Sequence, residues 1–263
     1  MLRKLVGSIV VVSLLASCTQ TGEFSKTESG AVIGAVAGAA IGAAVSDDKG
    51  KGAVIGAVAG GLVGAGIGKM LDERDRQRLA QSTEKTIVTG APETWTNPQT
   101  GVQAQTTVKE TVAQQEQRQI PVLKDKVQQV PPLEFIGADY TATSAVNVRG
   151  GPGTDYVIVG ELRAGQLTRV VGKVTGAEWY MISKDNVGSG FVSSNLLRPT
   201  GTATVVKSPQ APAATTPGVS QASVAATTEC RVVTQQVKTK DGQTASQDVK
   251  ACRGPNGWEI VSA

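Results

Sequence analysis

A nine-residue repeat dominates the first third of the chain. The sequence GAVIGAVAG occupies Gly30–Gly38 and recurs unchanged at Gly52–Gly60. Glycines return at every fourth position within each copy, which is the spacing of one helix face. Each copy predicts a helix with a glycine groove on one side and Val and Ile on the other, and the polar residues 46–51 separate the copies. The tract therefore predicts a hairpin of two helices packed through Gly30, Gly34, Gly38, Gly42, Gly52, Gly56, Gly60, Gly64 and Gly68.

The environment of this hairpin has two interpretations. Glycine weakens a helix in water by up to about 1 kcal/mol per residue relative to alanine, whereas small residues allow close helix contacts in lipid. The hairpin could be inserted in a membrane, or form homo-oligomers, or it could lie compactly beside a membrane. A phosphate-binding loop is not expected at Gly64–Lys69, because Met70 stands where such a loop has Ser or Thr.

The first seventeen residues have the layout of a secretory signal peptide, with Arg3 and Lys4 before the apolar stretch Leu5–Leu15. Their end, Leu15-Ala16-Ser17-Cys18, resembles the lipobox of bacterial lipoproteins. The resemblance implies cleavage before Cys18 and lipidation of its thiol, with palmitate among the acyl chains. Thr at position 19, rather than Asp, implies an outer-membrane location, facing either the periplasm or the cell surface. A plain signal peptide with an incidental cysteine is the alternative.

Composition limits the chemistry of the chain. It contains no histidine, which excludes histidine-based acid–base catalysis, Ser-His-Asp and Cys-His nucleophile systems, and histidine-bound metals. The formal net charge is +4, without a basic cluster interleaved with aromatic residues, so nucleic acid is not an expected partner. The sequence offers no other recognisable nucleophile–base pair or metal-ligand set. We expect no enzymatic activity, no cofactor and no metal.

Two cysteines remain for a disulfide if Cys18 carries lipid. Cys230 and Cys252 flank residues 238–242, which carry a hairpin turn signal. The register that places Thr239 opposite Gln243 also places Cys230 opposite Cys252. In an oxidising compartment this predicts a Cys230–Cys252 disulfide.

Motifs on both sides of a long intervening segment resemble one family. The glycine tract, its exit Lys69–Gln77, the string Trp95-x-Asn97-Pro98-x-Thr100-Gly101, and an ending with Cys230-Arg231, Cys252-Arg253 and Gly257-Trp258 resemble the rickettsial 17-kilodalton surface antigen family. In that family the two halves lie close together. The resemblance implies a domain insertion, with residues 86–112 and 228–262 forming one antiparallel sheet that holds Trp95 and Trp258 in its core. Two unrelated ribbons on flexible tethers are the alternative.

The intervening segment carries a small all-β module. Short β-prone runs recur between turns over Phe135–Pro199 and predict strands: Asp139–Val148, Val157–Leu162, Leu167–Val174, Glu178–Ile182 and Gly190–Val192. Within this segment, Asn147-Val148-Arg149-Gly150-Gly151-Pro152-Gly153 resembles bacterial Src-homology-3-like (SH3-like) domains. Such domains commonly bind peptidoglycan or peptides in an aromatic-lined groove. Arg149 could brace the barrel or hold an acidic ligand group. Trp179 and Tyr180 should face opposite sides of their strand, which leaves open the one that faces a ligand. The candidate contacts are Asn147, Arg149, Tyr156, Trp179 and Tyr180.

These observations predict a multi-module chain: a glycine-zipper helical hairpin, a small SH3-like barrel and a disulfide-stapled antiparallel β-sheet. We expect a structural or binding lipoprotein whose partners are the membrane and either peptidoglycan or an envelope protein. The alternative is a self-assembling zipper in which the barrel is a spacer. The expected divisions are signal peptide 1–17, tether 18–29, hairpin 30–82 (with a solvated extension at 72–82), sheet 86–112 plus 228–262, linker 113–132, SH3-like domain 133–199 and flexible linker 200–227.

Overall fold

A computed structural model describes residues 62–203, 205–206 and 217–262. Cys18 and the glycines from Gly30 to Gly60 lie outside these residues. No helix in the described part of the chain is both long enough and apolar enough to cross a membrane. Among the described residues, the helices α1 (Ala65–Gly68) and α2 (Glu73–Thr89) precede a set of hydrogen-bonded strands. The strands are β1 (Glu93–Thr96), β2 (Gln103–Leu123), β3 (Leu133–Ala142), β4 (Val146–Arg149), β5 (Ile158–Leu162), β6 (Leu167–Val174), β7 (Trp179–Lys184), β8 (Val187–Ser193), β9 (Leu197–Ala203), β10 (Val205–Val206), β11 (Val219–Lys238), β12 (Thr244–Gly254) and β13 (Gly257–Ser262), with a 3₁₀ turn (Ser194–Leu196) between β8 and β9.

A long two-stranded ribbon runs through the molecule. β11 pairs antiparallel with β2 from Val219 opposite Leu123 to Lys238 opposite Gln103, with one register shift at Val232/Val233. This pairing joins the two segments that the sequence assigned to one split sheet. The ribbon extends further than expected, because residues 113–123 and 219–227, predicted as parts of linkers, continue both strands. Ile120, Val122 and Val224 are buried in these segments, and the more polar remainder is ordered by the pairing between the two strands.

The SH3-like module forms a barrel around its own apolar interior. β6 spans the predicted Leu167–Val174, and β5, β7 and β8 begin and end within three residues of the predicted runs. The predicted run Asp139–Val148 is wrong as a single strand, because β3 ends at Ala142 and β4 begins at Val146. β4 pairs with β5 and, at one position, with β8, while β6, β7 and β8 pair antiparallel in order. The interior contains Ala142, Val146, Val148, Leu162, Val170, Ile182, Val192 and Leu197.

A second closed ring shares a wall with this barrel. β2 meets β8 at Val122 opposite Gly188, and β11 meets β3 at Ala226 opposite Leu133. Since β8, β7, β6 and β3 are paired in turn, six strands close on themselves. The enclosed core is Ile120, Val122, Val127, Leu133, Phe135, Val171, Val174, Met181, Phe191, Val224 and Ala226. The strands of the shared wall are therefore buried on both faces, as consecutive apolar pairs such as Met181-Ile182 require.

The end of the glycine tract packs into a third core. Leu62, Ile67 and Leu71 are buried together with Leu79 and Ile87 of α2 and with the inner face of β11 and β12. Trp258 lies in this core and Trp95 packs against it, as predicted. The expected hairpin boundary at 82 is wrong, because it falls inside a helix: α1 ends at Gly68, and the separate helix α2, which Asp72 caps, continues to Thr89. The expected solvated extension at 72–82 is helical but half buried, and residues 86–89, predicted as strand, complete α2.

The predicted disulfide is present. Cys230 and Cys252 are bonded and lie opposite each other in the β11–β12 register, which also sets Lys238 opposite Thr244 at the turn. Beyond the disulfide, Arg231 and Arg253 each place their guanidinium 4.8 Å from the ring centre of Trp258. The disulfide and this stacked aromatic residue fix the end of the sheet that contacts the barrel.

Candidate functional site

Arg149 braces the loop that follows β4. Its Nη1 donates to the backbone oxygens of Thr154 and Tyr156, both at 2.8 Å. Gly150 N also donates to the oxygen of Val157, which closes the loop. The guanidinium thus serves the fold, as the structural interpretation of Arg149 predicted.

Tyr156 covers the glycines of the same loop. A Cβ added to Gly151 would lie 2.3 Å from a ring carbon of Tyr156, so only glycine fits there. The Tyr156 hydroxyl accepts a hydrogen bond of 2.6 Å from Gln129 Nε2. This aromatic ring holds the loop against the segment after β2, and one side of it remains accessible because the residue is only half buried.

Tyr180 forms an aromatic pair that includes a residue missed from the sequence. The ring centres of Tyr180 and Tyr140 are 5.3 Å apart with an interplanar angle of 60°. Both rings pack against the outer part of the SH3-like core and stay half buried. Tyr140 could have been found by elimination, since the chain has only three tyrosines and the other two were candidates.

The charged groups near the tyrosine pair already have partners. Lys173 lies directly opposite Tyr180 in the β6–β7 register and donates to Glu178 at 2.8 Å, and this hydrogen bond raises the pKa of the lysine. Arg253 forms an ion pair with a glutamate of β11. Burial raises the pKa of the Tyr140 hydroxyl, the neighbouring Tyr180 adds to the rise, and the positive charge of Arg253 opposes it. The two phenol hydroxyls are the donors through which this surface can receive a carboxylate.

Trp179 and Asn147 do not join this pair. Trp179 packs against the core of the second ring, on the opposite face of β7 from Tyr180, as alternation predicted. Asn147 is exposed on β4 opposite Glu161, with its side chain directed out of the barrel. The structure therefore joins Arg149 with Tyr156 and Tyr180 with Tyr140, and it separates both pairs from Trp179.

The two described zipper glycines also have local roles. Gly64 precedes α1, and a Cβ there would lie 2.4 Å from Gln247 Oε1. The Gly68 oxygen accepts a hydrogen bond from Arg76 Nη1 at 3.3 Å. These glycines pack against the sheet and α2 rather than along a continuous helix. Within the described residues, no group of three Cys, Asp or Glu side chains is arranged to hold a metal ion.

Comparison with protein families gives two matches. Residues 1–72 match the model of the YMGG-like Gly-zipper, and residues 144–198 match that of the bacterial SH3 domain. The chain carries both domains. A search of curated proteins returned no match. The two domains fit a membrane-associated protein of the bacterial envelope.

Proposed function

We propose that this chain is a lipid-anchored outer-membrane protein of structural or binding type, without enzymatic activity. In this proposal Cys18 carries the lipid, the glycine zipper engages the membrane, and the SH3-like barrel binds peptidoglycan. The resemblance of the zipper flanks to the 17-kilodalton antigen family supports the envelope location. Lipidation is tested by metabolic labelling with a fatty-acid analogue: we expect labelling of the wild type and none of Cys18→Ser.

The observation that carries the binding proposal is the half-buried pair Tyr140 and Tyr180 on the barrel. Peptidoglycan stem peptides end in carboxylates, which match hydroxyl donors. The half-buried rings supply an apolar surface for the peptide next to these groups. We assign the ligand site to this cluster rather than to Arg149 and Tyr156, whose polar groups are used within the loop.

Binding is tested by co-sedimentation of the full chain, in mild detergent, with purified sacculi. Tyr140→Phe combined with Tyr180→Phe keeps both rings and removes both hydroxyls, so we expect retention to fall several-fold. Tyr156→Phe is the matched control, because it makes the same change at the third tyrosine, and its retention should equal that of the wild type. Absence of wild-type binding, or equal retention by all variants, would contradict the proposal.

The alternative is a self-assembling zipper protein in which the barrel acts as a spacer. It is favoured by the four-residue spacing of the zipper glycines, because small residues on one helix face allow close contacts between helices. Cross-linking in membranes separates the two proposals. Oligomers that persist in a chain unable to bind sacculi would support the alternative.

A further inference from the structure

Eight polar side chains form two rows across the exposed face of the sheet formed by β1, β2, β11 and β12. The registers align them strand by strand, so that each row crosses all four strands. The opposite face at the same height carries Trp95, Ala104, Val237 and Ala245, which pack on the third core. The first row is Thr94, Gln105, Gln236 and Ser246, and the second is Thr96, Gln103, Lys238 and Thr244.

All eight side chains are exposed, and in the described part of the chain none of them hydrogen-bonds or pairs with another side chain. Their neighbours differ in this respect. In the next row along the strands, Thr234 donates to Asp248 and Lys109 forms an ion pair with Asp248 at 2.6 Å. The two rows therefore form a patch of seven uncharged polar side chains and one charged one, Lys238, beside a region whose polar groups are already occupied.

The patch lines an open depression of about 820 Å³ on the surface of the sheet. Neighbouring strands are about 4.8 Å apart, so each row offers hydroxyls and amides at regular intervals across roughly 14 Å. Thr and Ser hydroxyls both donate and accept, and the Gln amide does so in a fixed plane. This chemistry matches an extended, uncharged ligand rich in hydroxyl and amide groups, and it offers little to an anionic polymer.

We propose that these two rows bind the glycan strand of peptidoglycan. The inference rests on the proposed function for the choice of glycan, but it uses a different surface from the tyrosine pair. Gln105 and Gln236 lie at the centre of the first row, where they can reach the acetamido groups of successive amino sugars. The chain then has separate contacts for the glycan and for the peptide of the same polymer.

The test uses chitin oligosaccharides as the peptide-free glycan strands, because they are uncharged and carry an acetamido group on every sugar, whereas strands freed with an amidase would expose a lactyl carboxylate on every second sugar. The full chain is used in mild detergent. Gln105→Ala combined with Gln236→Ala should weaken binding to these strands by about tenfold, the effect of removing two or more hydrogen bonds. Gln119→Ala combined with Gln221→Ala is the control. It removes two exposed glutamines from the same two strands, outside the patch, and should leave binding unchanged.

The tyrosine variant, Tyr140→Phe with Tyr180→Phe, should bind peptide-free strands as the wild type does. A wild type that fails to bind these strands, or patch and control variants that bind equally, would overturn the glycan proposal. If the tyrosine variant loses its binding to sacculi, the proposed function stands even where one of these two results overturns the glycan proposal. A chain that binds free strands but not sacculi would contradict the proposed function alone.

Discussion

Asp75 is a buried carboxylate that joins α2 to the turn after β1. Its Oδ1 accepts from Asn97 Nδ2 at 2.6 Å and its Oδ2 accepts from Thr100 Oγ1 at 2.7 Å. The residue is 1% exposed, so removing its side chain leaves both donors without a partner. We expect Asp75→Ala to lower the free energy of unfolding by about 2–4 kcal/mol.

Chemical denaturation of the full chain measures this loss. Gln81→Ala is the control on the same helix, because Gln81 is exposed and its replacement should change stability by less than about 0.5 kcal/mol. Equal stabilities of the two variants would show that the carboxylate does not hold the turn.

Glu259 gives a pH dependence of stability. Burial raises the pKa of its carboxyl above the ordinary 4.5, and Arg118, which pairs with it, opposes the rise. Since the folded pKa is the higher one, the folded state holds this proton more tightly, and stability falls as pH rises through the window above 4.5. Glu259→Gln cannot ionise and lacks this fall.

Denaturation curves at about pH 4 and about pH 7 test the sign. The stability of Glu259→Gln relative to the wild type should improve on going from the lower to the higher pH. A difference that stays constant, or that moves against the variant, would show that Arg118 compensates fully for burial.

Among the elements, β3 and the β12–β13 turn make the tightest contact between the SH3-like barrel and the disulfide-bonded sheet. Gly137 has φ of 57°, and a Cβ there would lie 2.3 Å from Gly257 N and 2.4 Å from Gly254 O. Arg169 adds to this contact, since it pairs with Asp139 and donates to Asn256 O at 2.5 Å. The barrel therefore docks by backbone contact that leaves no room for a side chain.

Gly137→Ala should lower the free energy of unfolding by more than about 2 kcal/mol, because strain at positive φ adds to a backbone clash. Gly165→Ala is the matched control: Gly165 has φ of 77° but nothing within 4 Å of the added Cβ, so strain alone should cost about 1 kcal/mol. Thermal unfolding compares the two. Equal shifts in Tm would mean that the junction yields to the added methyl group.

The predictions of strands were correct where local sequence signals were strong. They were wrong where packing between residues distant in sequence determines the secondary structure. Leu167–Val174 is a β-prone run bounded by turns, and it forms β6 with the predicted limits. Residues 113–123 are mostly Gln, Glu and Arg, and only the pairing with β11 makes them a strand. Thr86–Thr89 has β-prone residues, but the buried hydrogen bond between Thr86 and Thr106 holds it in α2.

On the scale of the whole molecule, two barrels share the wall formed by β3, β6, β7 and β8. The sequence predicted a self-contained module at 133–199, because its motifs are local. Burial of Met181 and Phe191 on the far side of this wall depends on β2 and β11, which are distant in sequence. The sequence signal available for this second core was the presence of consecutive apolar residues, as in Phe191-Val192, because adjacent residues of a strand face opposite sides of the sheet.

This architecture predicts the behaviour of fragments. Residues 133–200 alone would expose the apolar face that contains Met181, Phe191 and Val171, and we expect that fragment to aggregate. A fragment of residues 62–262 retains all three cores and should stay monomeric and unfold cooperatively. Size-exclusion chromatography of both fragments provides the comparison, and a soluble, folded 133–200 fragment would show that the second ring is not needed.

In the proposed function, one molecule holds the membrane at its N-terminal end and peptidoglycan through its β-structure. Fluorescent lipid vesicles that carry the full lipidated chain can be mixed with purified sacculi, and the sacculi then sedimented at low speed. We expect the vesicles to sediment with the sacculi and the Tyr140→Phe, Tyr180→Phe variant to leave a larger share of the vesicles in solution. Vesicles that remain in the supernatant with the wild-type chain would contradict the proposed function.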